Sequence, residues 1–260
     1  MRCLLADRDI LCVTAPNPGP FTLSGTNTWV VGRGPAWVID PGPQIDSHLE
    51  RVCEVLASRG GLGGVVLTHD HHDHSGVAPA LLARHPAPLA GARGEVDIAL
   101  AEGVSVGPFQ AVAVPGHSPD SFALISHGAC FSGDAVLGQG SVYIAPYPGA
   151  MAGYLSALER LRAREDFDVI CPGHGPLVED AAGKVEEYID HRLARERALR
   201  DALARGLRGE RELLDAVWSD VPEQMRPVAA VTLAAHLDKL EDEQLLPANV
   251  ERPAFEGVEW

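Results

Sequence analysis

Hydrophobic positions come in short runs up to about residue 178, separated by turns rich in glycine and proline. Short unbroken apolar runs predict buried strands, and apolar residues spaced three and four apart predict helices. Strands are predicted at 29–31, 37–39, 65–67, 109–114, 122–125, 129–131 and 168–171, and helices at 45–58, 77–84 and 150–163. The alternation of strands and helices favours a layered α/β architecture.

The pattern becomes helical from about residue 181, with further helices predicted at 210–218 and 228–240. We therefore predict two domains, an α/β domain at 1–180 and a helical appendage at 181–260. The appendage has a short helix, a proline turn and a longer helix, an order that is winged-helix-like. Such a shape assigns no function by itself.

Length and composition allow one large domain with an appendage, since 260 residues with 46% hydrophobic content can bury a substantial core. The formal net charge of −15 disfavours nucleic-acid binding by the whole surface, because a negative field repels phosphate backbones. No apolar run approaches the roughly 20 residues that a membrane helix needs, and the N-terminus shows no signal-peptide pattern. The five cysteines are odd in number and lack a C-x-x-C pair, which favours reduced thiols and a cytoplasmic location.

The most distinctive stretch is the run THDHHDH from Thr68 to His74, which has four histidines and two aspartates in seven residues. Unpaired imidazoles and carboxylates are costly to bury, so a purely structural role is hard to sustain. A solvated histidine tract that binds metal loosely is the alternative. The run lies between a predicted strand and a predicted helix, and this context favours a specific metal site.

Three further candidate ligands, His117, Asp134 and His174, follow predicted strands beside Gly or Pro. Strand ends of a rigid sheet present side chains at one edge, so these residues are expected to meet the run. All seven candidate ligands are His69, His71, Asp73, His74, His117, Asp134 and His174. Seven ligands exceed what one tetrahedral ion needs and suit two ions about 3.5–4 Å apart. Imidazole and carboxylate groups without thiolates suit zinc, iron or manganese.

The run resembles the T-H-x-H-x-D-H signature of the metallo-β-lactamase superfamily. The segments PGH at 115–117, SGD at 132–134 and PGHG at 172–175 resemble its later motifs, in the right order. This resemblance covers about residues 11–178. It implies an αβ/βα four-layer sandwich with a metal site at one edge of the paired sheets.

The same resemblance implies two divalent metal ions, expected to be Zn²⁺. The first would be held by His69, His71 and His117, and the second by Asp73, His74 and His174. Asp134 would bridge the two ions. Asp73 would also orient the hydroxide and take up a proton, so Asp73 and Asp134 are the expected catalytic residues.

The resemblance narrows to the β-lactamase-like protein 2 group. It is carried by residues 17–28 (NPGPFTLSGTNT), by PGHGP at 172–176, and by YIDHR at 188–192 with Arg195 and Glu196. Members of that group include a single-strand-selective endoribonuclease, and fungal cousins release polyketides from carrier-protein thioesters. Common metallo-β-lactamases carry Cys at the position of the bridging aspartate, so antibiotic hydrolysis is not expected as the main activity.

Five residues are candidates for substrate contact: Asn27, Thr28, Tyr143, His191 and Arg192. Asn27 and Thr28 lie where the family's N-terminal loop approaches the site, although an Asn in such a turn also bonds to backbone. Tyr143 is either a residue of the pocket wall or an aromatic residue of the core or the surface. His191 and Arg192 lie on a helix that either binds an anionic group or forms solvated ion pairs.

Several polar residues have a structural interpretation. Asp40 ends a predicted strand and is either an outer partner of a ligand histidine or a turn former. Asp70 and His72 are interpreted as non-ligands, because the ligand set is complete without them. Histidines outside the motifs are interpreted as surface residues: His48, His85, His127 and His236.

The combined interpretation is a binuclear metal-dependent hydrolase in which a metal-bridging hydroxide attacks a carbonyl or phosphoryl centre. An ester or thioester, small or carrier-bound, is the favoured substrate, because the chain is acidic. Single-stranded RNA is the alternative, from the resemblance to the β-lactamase-like protein 2 group. A metal-sensing winged-helix regulator and a single-iron dioxygenase are less favoured. No membrane partner is expected, and the oligomeric state stays open.

Overall fold

A computed structural model describes residues 5–255 of the chain. These residues form two compact units. The first unit contains 5–114, 120–141 and 164–182, and the second contains 115–119, 142–163 and 183–255. The chain therefore passes between the units five times. The division into domains at 1–180 and 181–260 stays a prediction.

The first sheet of the first unit has six strands in the order β1-β2-β3-β4-β5-β6. They are β1 Ile10–Thr14, β2 Asn27–Val31, β3 Ala36–Ile39, β4 Leu62–Val66, β5 Leu89–Gly91 and β6 Ile98–Ala99. β1, β2 and β3 are antiparallel neighbours, whereas β3 to β6 run parallel. The carboxyl ends of β3 and β4 and the start of β2 therefore lie at the same edge.

The second sheet has five strands in the order β11-β10-β9-β8-β7. They are β7 Ser105–Val106, β8 Phe109–Ala113, β9 Phe122–Ser126, β10 Ala129–Gly133 and β11 Val169–Pro172. β10 and β11 are parallel, and the other neighbours are antiparallel. The residues that follow β10 and β11, among them Asp134 and His174, therefore lie at one edge of this sheet.

Alternate residues of the strands enter two separate cores, because side chains alternate across a sheet. The core between the sheets includes Ile10, Trp29, Val31, Ile39, Phe109, Leu124 and Phe131. On the other face of the first sheet, Val30, Val38 and Val65 pack against the helices α1 Asp46–Ser58 and α3 Ala78–Arg84. The two-sheet α/β architecture predicted from the sequence is confirmed.

The second unit is helical in its described residues, which include no β-strand. Its helices are α4 Ala150–Arg162, α5 Ala181–Ala204, α6 Glu210–Val217 and α7 Arg226–Asp242, with a 3-10 turn at Glu223–Met225. The helices predicted at 210–218 and 228–240 are confirmed within two residues at each end. A carboxylate oxygen of Glu212 accepts from the Gly209 amide at 3.0 Å and caps the start of α6.

Polar side chains of α5 connect this helix to its neighbours in the second unit. Arg195 forms a two-pronged ion pair with Asp220 at 2.8 and 2.7 Å, and its guanidinium lies 5.6 Å from the centre of the Trp218 ring. Glu196 accepts from Lys239 of α7 at 3.0 Å. Among residues 5–255, no helix combines the length and apolar character that crossing a bilayer requires.

Candidate metal centre

The histidine–aspartate run forms the turn after β4 and continues into the short helix α2, His72–Ser75. Just before this helix, Nε2 of His69 lies 3.1 Å from Nδ1 of His71. His74 follows within the single helical turn and is fully buried. The ring of His69 is centred 4.6 Å from that of His71 and 4.2 Å from that of His74. Three imidazoles of the run therefore face one another.

Two other residues of the run face solvent. Asp70 and His72 are both exposed. The backbone amide of Asp70 donates to the Asp120 carboxylate at 2.9 Å, which anchors the turn through its main chain. This exposure agrees with the interpretation of both residues as non-ligands.

Asp40, directly after β3, is the central acceptor beside the run and is 1% exposed. Its Oδ1 accepts from the Thr68 amide at 2.8 Å, and its Oδ2 accepts from the Thr68 hydroxyl at 2.7 Å. The same Oδ2 lies 2.9 Å from Nδ1 of His74. A carboxylate can only accept, so His74 carries its proton on Nδ1 and keeps the lone pair of Nε2 for a metal. Of the two roles that the sequence left open for Asp40, the structure supports the outer partner of a ligand.

Thr68 fixes the proton of His69 on Nδ1, as Asp40 does for His74. Because the Thr68 hydroxyl donates to Asp40, its oxygen accepts from Nδ1 of His69, 3.0 Å away. His69 therefore also keeps its Nε2 lone pair for a metal. Gly133 allows this arrangement, since it has φ +50° and a Cβ there would lie 2.4 Å from Oγ1 of Thr68. Sequence reasoning included Thr68 in the run but assigned it no role.

Four donor groups converge next to these residues, from Asp73, His74, Asp134 and His174. The Nε2 atoms of His74 and His174 are 3.3 Å apart. Oδ2 of Asp73 lies 3.6 Å from the first and 3.2 Å from the second. Asp134 places Oδ1 3.5 Å from His74 and Oδ2 3.3 Å from His174. Ligands held at about 2.0–2.1 Å around a tetrahedral ion are about 3.3 Å from each other, so this donor set fits a metal.

Asp73, His74 and His174 form one of the groups of donor atoms that lie within 4.8 Å of one another. Asp40, His69 and His74 form another. The latter is not a ligand triad, because the Asp40 oxygens already accept three hydrogen bonds and one of these comes from His74 itself. We therefore interpret Asp40 as a partner of ligands and not as a ligand.

The charges of the site are strongly coupled. Burial lowers the pKa of both His74 and His174, but the Asp134 carboxylate outweighs it, raising the pKa of His174 to about 9 and that of His74 well above its ordinary value. Burial raises the pKa of Asp73, but the hydrogen bond from His174 and the charge of His74 bring that pKa down to about 2. Histidine protons thus balance the carboxylates in the metal-free protein, and a cation would replace them.

The loop before β2 orients His174. Its Nδ1 lies 3.4 Å from the carbonyl oxygen of Gly25, so that Nε2 faces the other donors. The Thr26 hydroxyl donates to Oδ2 of Asp73 at 3.3 Å. Thr26 and His174 also form an isolated antiparallel bridge through their main chains. Sequence reasoning did not identify this support.

Asn27 and Thr28 support the site from buried positions, at 3% and 0% exposure. The Asn27 amide donates to the carbonyl oxygens of Pro172 and Gly175 at 3.1 and 2.9 Å. The Thr28 hydroxyl donates to the carbonyl oxygen of Asp40 at 2.7 Å. These polar atoms are engaged in holding the backbone beside the ligands, and substrate contact by Asn27 and Thr28 stays a prediction.

His117 belongs to the second unit, in the segment 115–119, and is 3% exposed. Its ring is centred 4.6 Å from that of Tyr143, with the planes tilted by 59°. Tyr143 is half-buried and is thus a packing partner of a predicted ligand. Metal ligation by His117, bridging by Asp134 and substrate contact by Tyr143 stay predictions.

The two candidates on α5, His191 and Arg192, lie in different environments. Arg192 is 2% exposed, donates to the carbonyl oxygen of Val142 and lies 5.6 Å from the centre of the Tyr154 ring. The guanidinium is enclosed in the second unit, and its contact with an anionic substrate stays a prediction. His191 is half-buried, and burial together with the charges of Arg192 and Arg195 lowers its pKa to about 4. It is therefore neutral at pH 7, and its contact with substrate stays a prediction.

Two of the four histidines interpreted as surface residues, His48 and His236, are fully buried, and that interpretation was wrong for them. Nε2 of His48 lies 2.9 Å from the Thr28 hydroxyl and 3.0 Å from the carbonyl oxygen of Pro41. His236 lies 3.9 Å from the Glu196 carboxylate, and burial lowers its pKa to about 3. Both histidines lie on buried helix faces. His127 is exposed and His85 is partly exposed.

Two family models match the chain. The model described as Metallo-beta-lactamase superfamily matches residues 21–111, and the model described as Beta-lactamase associated winged helix domain matches 210–248. A Beta-lactamase-like protein 2 homolog from Caenorhabditis elegans is 30% identical, over 94% of this chain and 86% of that protein. Lactamase-like protein nscB from Trichophyton rubrum is 33% identical, over 92% of this chain and 81% of that protein.

Solved structures are also similar to this fold. A Beta-lactamase domain protein from Burkholderia ambifaria is 22% identical with a TM-score of 0.76, over 91% of this chain and 86% of that one. TTHA1623, solved in a di-iron-bound form, is 26% identical with a TM-score of 0.52, over 65% of this chain and 94% of that one. With these matches along nearly its whole length, the chain belongs to the metallo-β-lactamase superfamily of metal-dependent hydrolases, resembles its β-lactamase-like protein 2 homologues and carries the associated winged helix domain.

Proposed function

We propose that this hydrolase cleaves an ester or thioester with two divalent metal ions, which we expect to be zinc. The spacing of the donor atoms carries the proposal, because imidazole and carboxylate groups 3.2–3.6 Å apart match the edges of a ligand tetrahedron. A mixed nitrogen and oxygen donor set suits zinc, iron or manganese. The similar protein TTHA1623 was solved in a di-iron-bound form. That form supports a site for two ions, but it does not support zinc over iron.

Seven residues would hold the ions in this proposal. The two sets are His69, His71 and His117 for the first ion and Asp73, His74 and His174 for the second, with Asp134 as the bridge. When bound, a pair of such ions supplies an activated water as nucleophile and stabilises the developing oxyanion. The chain's own contribution is to orient the ligands and to accept a proton.

Asp40 and Thr68 provide the orientation. Through two hydrogen bonds at 2.9 and 2.7 Å, the Asp40 carboxylate holds His74 directly and sets the hydroxyl that faces His69. In its neutral form, each of these histidines then carries its proton on Nδ1 and offers the lone pair of Nε2 to a metal.

Asp73 is the acidic residue of the site that water reaches most easily. Its side chain is 31% exposed, against 9% for Asp134. The pKa of about 2 keeps the Asp73 carboxylate ionised at neutral pH in the metal-free protein. A partly exposed carboxylate within the ligand set can also orient a water molecule and take up its proton, which is the general-base role that we propose for Asp73.

The acidic surface favours an acyl substrate without large negative charge, since a net charge of −15 repels polyanions. Single-stranded RNA is the second candidate, retained because of the similarity to β-lactamase-like protein 2 homologues. The two differ in salt dependence. Binding to phosphates releases counterions, so RNA affinity falls steeply with salt, whereas turnover of an uncharged thioester changes little. The cysteine pattern of the sequence supports the cytoplasm as the proposed location.

Metal content and turnover of the purified protein test the proposal together. We would measure ions per chain and screen acyl thioesters beside a labelled single-stranded RNA. Two ions with thioester turnover would support the acyl hydrolase, and RNA cleavage with steep salt dependence would select the second candidate. A protein that binds no divalent ion would refute both.

The variant Asp134→Ala is expected to lose turnover and part of its metal while its circular dichroism is unchanged. Removing the carboxylate takes away one oxygen 3.5 Å from His74 and another 3.3 Å from His174. Asp46→Ala, at an exposed position of the same unit, is the control. Full activity of Asp134→Ala would exclude the proposed bridge.

A further inference from the structure

The segment 115–119, which carries His117, is held by two neighbouring parts of the second unit. The Ala145 amide donates to the carbonyl oxygen of Gly116 at 3.0 Å. Gly116 has φ +150°, and a Cβ at this position would lie 2.5 Å from the Tyr154 side chain. The position of His117 therefore depends on the segment 142–147 and on helix α4.

The segment 142–147 also carries Tyr143, whose ring lies against that of His117 at 4.6 Å. Helices α5 and α7 fix this segment in turn. Arg192 of α5 donates to the carbonyl oxygen of Val142, and the hydroxyl of Thr232 in α7 accepts from the Ile144 amide at 3.2 Å. The two bonds flank Tyr143 on either side.

Arg192 also reaches the second support of the segment 115–119. Its guanidinium lies 5.6 Å from the centre of the Tyr154 ring and bonds to the side chain of that residue. Tyr154 is fully buried and is the residue against which Gly116 packs. The Arg192 guanidinium thus contacts both the segment 142–147 and helix α4, which together hold the segment that carries His117.

The burial of Arg192 is costly, which argues that its contacts matter. The side chain is among the largest of the fully buried ones, and no carboxylate forms an ion pair with it among residues 5–255. Its neighbours Arg195 and Glu196 are paired instead with Asp220 and Lys239. A buried charge bonded only to neutral oxygens is less favourable than an apolar side chain of similar size. Simple packing therefore does not account for an arginine here.

We propose that Arg192 is a positioning residue for His117: it fixes Val142 and Tyr154, and through them the ring of Tyr143 and the backbone at Gly116. The proposal rests on the proposed function, because it takes His117 as a ligand of the first metal. Arg192 acts on the imidazole and not on substrate. Outer partners of metal ligands typically change metal affinity 10- to 100-fold when they are removed.

The test compares metal affinities of the full chain by competition with a chelator, using zinc as the probe. Arg192→Met keeps most of the side-chain volume but removes the hydrogen-bond donors. We expect it to lower the affinity for one of the two zinc ions at least 10-fold and to leave the affinity for the other unchanged. The zinc affinity of Arg192→Lys is expected to lie between those of the wild-type protein and Arg192→Met. An ammonium group can reach one oxygen but lacks the planar fork of the guanidinium. Arg197→Met, exposed on the same helix, is the matched control.

Thr232→Val gives a second route if Arg192→Met does not fold. This variant removes the hydroxyl that holds the Ile144 amide and leaves Arg192 in place. We expect it to lower the affinity for the same zinc ion by less than Arg192→Met does. The positioning role would be overturned if Arg192→Met bound both zinc ions with wild-type affinity. If Arg192→Met does not fold, the same result in Thr232→Val would overturn it. Equal weakening of both ions together with a lower melting temperature would also overturn it, since a general structural role acts on the whole centre. Absence of zinc from the wild-type protein would instead show that the proposed function itself fails.

Discussion

Replacing Asp40 by asparagine tests whether one buried carboxylate keeps two histidines in their metal-binding form. The Asp40 carboxylate takes part in three hydrogen bonds of 2.7–2.9 Å, two from Thr68 and one from His74. Asparagine has nearly the same shape but offers an NH₂ donor in place of one acceptor oxygen. If the amide oxygen faces the Thr68 amide, the NH₂ group faces the Thr68 hydroxyl and Nδ1 of His74.

Both of these groups must then accept. Acceptance at Nδ1 moves the His74 proton to Nε2, which is the atom 3.3 Å from Nε2 of His174. The Thr68 hydroxyl is then turned to donate toward His69, so the proton of His69 also moves to Nε2. Loss of an outer partner typically lowers metal affinity 10- to 100-fold, which is about 1.4–2.8 kcal/mol. Because the tautomers of two ligands change here, we expect the loss of metal affinity in Asp40→Asn to lie near the upper end of this range.

The assay is chelator competition on purified protein, with the rate of hydrolysis measured on the same samples. Asp46→Asn makes the same chemical change at an exposed position and is expected to match the wild-type protein. Circular dichroism of the metal-free proteins separates a lost fold from a lost ion. If Asp40→Asn keeps both ions with wild-type affinity, the inference that Asp40 sets the histidine tautomers is refuted.

Three further predictions follow from packing and charge. Gly173→Ala is expected to lower metal content and activity, since the new Cβ would lie 2.5 Å from Oδ1 of Asp134 and 2.7 Å from Cε1 of His74; metal analysis measures this. Metal affinity is expected to rise with pH up to about 9, because below that pKa a proton on His174 competes with the metal; calorimetry in several buffers measures the protons released. His236 has a pKa lowered from 6.5 to about 3, so its contribution to stability is complete above pH 6.5 and is lost as the pH falls. The free energy of unfolding is expected to fall by about 1.4 kcal/mol per pH unit between pH 6.5 and about 3, and His236→Leu is expected to remove this slope in urea unfolding.

Each of these predictions has its own contrary outcome. Gly153→Ala places a Cβ at an ordinary 3.5 Å from Pro115 and is the control for Gly173→Ala, so equal metal loss in both variants would contradict the steric argument. A metal affinity that is flat between pH 7 and 9 would show that protons do not occupy the site. An unchanged acid slope in His236→Leu would assign that slope to other groups.

Local patterns in the sequence predicted seven of the eleven strands found in residues 5–255, the longer helices, and the seven candidate ligands in their order; the strands at 10–14, 89–91, 98–99 and 105–106 were missed. The apolar runs are short and their turns are marked by Gly and Pro, so local patterns determine these elements. The histidine–aspartate run is a local feature as well. Its contact with His174 was expected from the strand ends, and the structure places the Nε2 atoms of His74 and His174 3.3 Å apart.

Other features depend on which strands become neighbours and which helix faces become buried. Asp40 meets Thr68 because β3 and β4 are parallel neighbours, with Ile39 paired to Val66. That pairing joins residues 28 positions apart, and no local pattern gives it. Arg192 was expected on an exposed or substrate-facing surface, but the contacts of α5 on several sides bury it. Polar residues on such a helix look like surface residues in the sequence.

The five passages of the chain between the two units have a consequence for protein synthesis. Helix α4 buries Met151, Tyr154 and Leu158, and it packs against α7, whose last residue is made about 80 positions after α4 ends. Since ribosomes add about 5–20 residues per second, α4 waits about 4–16 s for its partner. During that interval its apolar face is open to chaperones and to other nascent chains. The second unit therefore cannot assemble until Asp242 has been made, although its first residues, 115–119, are made more than 120 positions earlier.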